Sequence, residues 1–111
     1  MIVADFSRNK KGIHLHIEGH ANYSEGEDII CAAASGIFGA LCSYLVNFKK
    51  NSFRVNRLEN GCADIDCDND CESYLQMVCL GLFEISRVYP LNLAVLNRAW
   101  AWHMLPAGQR A

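Results

Sequence analysis

IICAAASGIFGALCSYLVNF, residues 29–48, runs for twenty positions without a charge. That is about the length a helix needs to cross a bilayer. Its makeup argues the other way. Ala, Gly, Ser and Cys dominate where Leu and Ile would be needed for favourable transfer into hydrocarbon. The stretch is therefore expected to be a buried core helix, with no membrane as partner. Asp28 stands where a carboxylate can accept from the first free amides of that helix, and Lys49 and Lys50 follow it with the charge sign a helix C-terminus favours. Ala32, Ser35, Gly36, Gly39 and Ala40 leave the helix backbone open to close approach. The glycines cost helix propensity, so tight packing is the expected compensation.

Upstream, Ile2, Ala4 and Phe6 alternate with Val3, Asp5 and Ser7 and lead into a turn at Asn9-Lys10-Lys11-Gly12. GIHLHIEG then sets Ile13, Leu15 and Ile17 on one face and His14, His16 and Glu18 on the other. The pair reads as a β-hairpin with one buried face. Downstream, SFRVNRL and CADIDCD form a second hairpin joined at Glu59-Asn60-Gly61, Asn-Gly being a strong turn signal. Ala63, Ile65 and Cys67 would face inward and Asp64, Asp66 and Asp68 outward. Asp70 is expected to cap a second helix with an apolar stripe of Leu75, Val78, Cys79, Leu82, Ile85 and Tyr89, stopped by Pro90. Residues 91–97, LNLAVLN, fit a fifth strand. The order ββαββαβ implies an α+β fold: a mixed sheet with two helices packed on one face.

A length of 111 residues and ordinary globular composition fit one domain. A net charge of −2 gives no electrostatic footprint for nucleic acid. The opening MIVADFSRNKKG has the reverse of a secretory layout. A cytoplasmic setting is therefore expected, with the six cysteines reduced rather than paired.

The chemistry concentrates in GHANYSEGEDIICAAASG, residues 19–36. With Asp28 as N-cap, Cys31 falls at the third helical position, beside amides whose partial positive charge favours a thiolate. His20, a short way upstream, is the candidate general base that takes the thiol proton and the acid that protonates a leaving amine. The same helix amides would serve as an oxyanion hole. Glycines at both ends of the loop, Gly19 and Gly26, would let it close over a peptide.

Gly19-His20-Ala21, Tyr23, Gly26, Asp28-Ile29-Ile30-Cys31-Ala32-Ala33 and Ser35 resemble the signature of the bacterial ribosomal-processing cysteine proteases, the Prp family. Ile30 stands where that signature carries valine. Leu80-Gly81-Leu82, Ile85 and Tyr89-Pro90 resemble the family's second helix and its exit. The likeness spans roughly residues 1–98, leaving 99–111 as a tail with both tryptophans. It implies a homodimeric cysteine endopeptidase that removes a short N-terminal extension from a large-subunit ribosomal protein, or processes a related mobile-element substrate. His20 matches the catalytic histidine and Cys31 the nucleophile. Gly19, Ala21, Tyr23, Asp28 and Ser35 match neighbouring motif positions, in supporting or substrate-binding roles. No cofactor is implied.

Other clusters point elsewhere less firmly. Cys62, Cys67 and Cys71 have C-x4-C-x3-C spacing, not the C-x2-C of a zinc knuckle, and lack an evident fourth ligand. His14, His16 and Glu18 share a strand face and are read as solvated, so no metal is expected. His103 is read as incidental. Asp64, Asp66, Asp68 and Asp70 form an acidic stripe, read as a solubilising face or a guide for a basic substrate tail. The rival function is a non-catalytic homodimer that binds a peptide or protein partner through the same loop.

Overall fold

The computed structural model describes residues 1–101 and 105, and the expectation for His103 lies outside them. Five strands and two helices follow the expected order: β1 Ile2–Arg8, β2 Gly12–Glu18, α1 Ile29–Phe48, β3 Phe53–Glu59, β4 Cys62–Asp68, α2 Glu72–Val88 and β5 Leu93–Arg98. The sheet order is β3-β4-β2-β1-β5. All neighbours are antiparallel except β1 and β5, which run parallel, so the sheet is mixed.

Period-two alternation decides the sheet faces. Ala4, Phe6, Ile13, Leu15, Ile65 and Cys67 are buried and join Leu41, Leu45, Leu75 and Leu82 from the helices in one core. His14, His16, Asp64 and Asp66 take the opposite face. The edge strand β3 is almost wholly exposed, is interrupted by a bulge between Val55 and Arg57, and carries Arg54 and Arg57, features that discourage edge-to-edge pairing.

Three local expectations are corrected. Asp70 does not cap α2. A 3-10 turn at Asn69–Cys71 precedes that helix, and the Asp70 carboxylate accepts instead from Lys49 Nζ at 3.2 Å and Ser52 Oγ at 3.1 Å. This tie joins the end of α1 to the start of α2. The fifth strand begins two residues later than expected, because the Tyr89 carbonyl accepts from the amides of both Asn92 and Leu93 and turns the chain first. The largest correction concerns α1, which is only a partial core helix. Its buried residues are Ile30, Ala34, Leu41 and Leu45, while Ile29, Val46 and Phe48 stand exposed. A Cβ added at Gly36 or Gly39 would meet nothing within 4 Å, so the close approach these glycines allow is not made among the described residues.

None of the six cysteines forms a disulfide, and Cys62, Cys67, Cys71 and Cys79 are buried. Burial pushes the Cys67 thiol up to about 12 and those of Cys71 and Cys79 to about 11. The acidic stripe is engaged rather than bare. Arg54 holds Asp68, Lys49 holds Asp70, and Asp64 accepts from His14, His16 and Asn56.

Candidate active site

Asp28 caps α1 as expected, and it does more. One carboxylate oxygen accepts from the amides of Ile30 at 3.0 Å and Cys31 at 3.1 Å. The other accepts from Tyr23 N–H at 2.9 Å and so ties the preceding loop to the helix start. Although burial opposes its ionisation, these amides, Cys31 first, hold the Asp28 carboxyl below its usual range. Of the helix amides expected to form an oxyanion hole, those of Ile30 and Cys31 are given to Asp28. The sulfur receives its donor from elsewhere: Ala21 N–H points at Cys31 Sγ at 3.3 Å.

The Gly-His-Ala segment is held from several sides. Gly19 N–H donates to the Gly61 carbonyl at 2.9 Å. At φ +104°, a Cβ on Gly19 would collide with the Met1 carbonyl oxygen, so only glycine lets β2 leave the sheet beside the N-terminus. Ala21 is buried, and its carbonyl accepts from Asn92 Nδ2 at 3.0 Å. Tyr23 meets Tyr89 edge to face, ring centroids 5.4 Å apart. These contacts tie down Gly19, Ala21 and Tyr23, while residues 22–27 are exposed and a Cβ added at Gly26 would meet nothing within 4 Å.

His20 is exposed and packs against Gly61, where a Cβ would come within 2.9 Å of His20 Nε2. His20, Cys31 and Ser35 line one cavity of about 360 Å³, floored by Ile2, Ile17, Phe38 and Leu58. That is the size range of ligand sites, and its apolar floor suits side chains of a bound peptide. Ser35 sits one helical turn beyond Cys31 on the same side. Among the described residues no hydrogen bond joins the His20 ring to Cys31 Sγ; the two share the cavity without touching through a proton. Such loosening is common before substrate arrives.

The structure therefore gathers Gly19, His20, Ala21, Tyr23, Asp28, Cys31 and Ser35 around one helix start. Two contributors were not visible beforehand. Asn92 reaches Ala21 from 71 positions away, a separation no local pattern reports. Gly61 was read only as a turn residue, and its second duty as the floor beneath His20 follows from the β2–β4 register. The acidic stripe contributes nothing to the cavity wall.

Several solved structures share the fold. The essential ribosomal processing protease Prp from S. aureus, in complex with a covalently linked product peptide, superposes with TM-score 0.74 at 24% identity, covering 86% of this chain and 98% of that one. The same protease in complex with a substrate peptide gives 0.70 at 23% identity, covering 86% and 97%. SMU.848 from Streptococcus mutans gives 0.69 at 23% identity, covering 90% and 96%. No curated protein matches the sequence. The family profile described as cysteine protease Prp matches residues 1–94, and with the fold and the gathered motif it establishes that this chain belongs to the Prp family of cysteine proteases.

Proposed function

We propose that this cysteine protease removes a short N-terminal extension from a large-subunit ribosomal protein, or from a related mobile-element substrate, with Cys31 as nucleophile and His20 as acid–base. The observation that carries this reading is the Ala21 N–H on Cys31 Sγ, which fixes the residue after His20 against the sulfur and leaves both reactive groups in one cavity. Cys31 Sγ attacks the scissile carbonyl carbon while His20 takes the thiol proton. The tetrahedral intermediate collapses, the C–N bond breaks, and His20 protonates the departing amine. Water, deprotonated by His20, then hydrolyses the thioester and frees the thiol. Asp28 and Gly19 are positioning residues. Ser35 and the Tyr23–Tyr89 pair flank the path of the peptide.

The unit that does this is residues 1–98, acting in the cytoplasm as a homodimer without nucleic acid. The apolar face of α1 supports the dimer. Ile29, Ala32, Ala33, Gly36, Ala40 and Ser43 are exposed in a row, and the open space at Gly36 admits a neighbouring backbone. A two-fold axis lets one such stripe pair with its own copy. The likeness to S. aureus Prp bound to substrate and product peptides supports a peptide occupant of the cavity.

The test is direct. Purified protein is incubated with the ribosomal proteins of its host and the products of neighbouring genes, and intact masses are compared with a Cys31→Ala control. Loss of a short N-terminal segment from one large-subunit protein is expected. No mass change in any of them, with equal alkylation of all accessible thiols, would favour the non-catalytic binding module.

A further inference from the structure

On the sheet face turned away from the helices, the β2–β4 register sets His16 opposite Asp64 and Glu18 opposite Cys62. His16 Nδ1 lies 2.7 Å from Asp64 Oδ2, and Nε2 of the same ring lies 3.7 Å from Glu18 Oε1. A ring nitrogen of His16, a carboxylate oxygen of Glu18 and the sulfur of Cys62 all fall within 4.8 Å of one another. We propose that His16, Glu18 and Cys62 form a binding site for one zinc ion beside the catalytic cavity, whose wall Cys62 shares, with Asp64 orienting His16 and a fourth position open to water.

Three observations converge on this. The donor set is one imidazole nitrogen, one carboxylate oxygen and one thiolate sulfur, the mixture a borderline-soft tetrahedral ion takes. Asp64 accepts the proton of His16 Nδ1 and thereby leaves the Nε2 lone pair facing Glu18 and Cys62, the carboxylate–histidine arrangement that accompanies metal-bound imidazoles. Asp64 is itself fixed, its other oxygen accepting from His14 Nε2 at 2.7 Å and Asn56 Nδ2 at 2.9 Å. Closure to a tetrahedral spacing of about 3.5 Å between donors requires little motion, because the Glu18 side chain is mostly exposed and free to rotate inward. Arg57, the nearby cation, is already held by Glu59.

A neighbouring trio, His14, Asp64 and Asp66, is similarly compact. There the Asn56 amide already bridges the two carboxylates, at 2.9 and 2.7 Å, and no sulfur is present. The thiolate trio is the better zinc site. The sequence hid it. His16 and Glu18 looked like a solvated strand face, and Cys62 was grouped with Cys67 and Cys71. In β4, however, Cys62 and Cys67 lie five positions apart and so point to opposite faces. The site also adjoins the catalytic loop, since Glu18 precedes Gly19-His20 and Cys62 follows Gly61. An ion there would staple the two strand ends that frame His20.

The test uses the full chain carrying Cys31→Ala, so that the catalytic thiol does not compete, titrated with cobalt(II) as a spectroscopic stand-in for zinc. The expected result is one bound equivalent with a thiolate-to-cobalt charge-transfer band, displaced by zinc and unchanged in Asp66→Asn. Cys62→Ser abolishes the band, and Asp64→Asn weakens binding about 10- to 100-fold. Glu18→Gln, an exposed substitution that leaves the fold intact by circular dichroism, also weakens it. The proposal is overturned by the absence of a band at saturating cobalt, by a band that survives Cys62→Ser, or by band-free binding that Asp66→Asn removes, which would place the ion at the neighbouring trio.

Discussion

α2 buries Leu75, Val78, Cys79 and Leu82 along one stripe and holds Glu72, Glu84 and Arg87 off the core, although Met77, Leu80 and Val88 remain exposed. α1, with 20 residues against 17, is apolar on nearly every side yet buries four, the same number as the shorter α2. Its start is also the better anchored, because Asp28 takes two of its amides, whereas no side chain caps α2. The contrast separates two uses of a helix. α2 is spent on the fold. α1 carries Cys31, the proposed nucleophile, at its capped end and leaves much of its apolar surface exposed.

The largest expected effect tests the fixed end. Cys31→Ala or His20→Ala should lower kcat/KM for a cleaved peptide by at least about 1,000-fold, with unchanged circular dichroism. Retained cleavage in either variant would remove the assigned roles. Next, Leu82→Ala in α2 should cost about 2–5 kcal/mol of unfolding free energy in urea, since a fully buried side chain leaves a cavity. A loss under 1 kcal/mol would mean that α2 is not the structural partner of the pair.

Asp28→Ala probes how the two ends of the loop are coupled. With the Tyr23 and Cys31 amides released, kcat/KM should fall about 100-fold by misplacement of the dyad, while Cys31 stays alkylatable by iodoacetamide. Gly36→Glu addresses the open face of α1. Nothing among the described residues opposes the new side chain, so the fold should persist while sedimentation shifts from the proposed dimer to monomer. A variant that stays dimeric would place the second copy elsewhere.

The smallest effect is a pH dependence. Cys67, Cys71 and Cys79 keep their protons in the folded state to about 12, 11 and 11, above the ordinary value of 9.0. A group whose folded value is raised loses its stabilising contribution once the unfolded chain ionises and the folded one does not. The contribution of these thiols should therefore be constant below pH 9 and be lost as pH rises from about 9 towards 11 and 12. Cys79→Ala, though less stable throughout, should show a shallower fall in thermal melts at successive pH values.

Much of this was legible beforehand because it depends on short-range periodicity. Alternation in GIHLHIEG and CADIDCD assigned the faces of β2 and β4, and Asp28 announced the start of α1 three positions before Cys31. Asp70 misled because its local pattern is also that of a cap; the competitor was Lys49, which only the packing of α1 beside α2 brings near. Two of the helix amides expected for an oxyanion are engaged by a related effect. A cap that satisfies a helix also occupies the donors that a substrate would need.

The sequence alone determined the element order, the buried faces and the candidate pair His20 and Cys31, because each follows from residue type at fixed local spacing. Tertiary structure decided what meets what: Asn92 under Ala21, Gly61 beneath His20, Cys62 beside Glu18. Those meetings depend on strand register and on loops that close across dozens of residues. Hydrophobic burial selects them collectively, so no local stretch of the chain encodes any one of them.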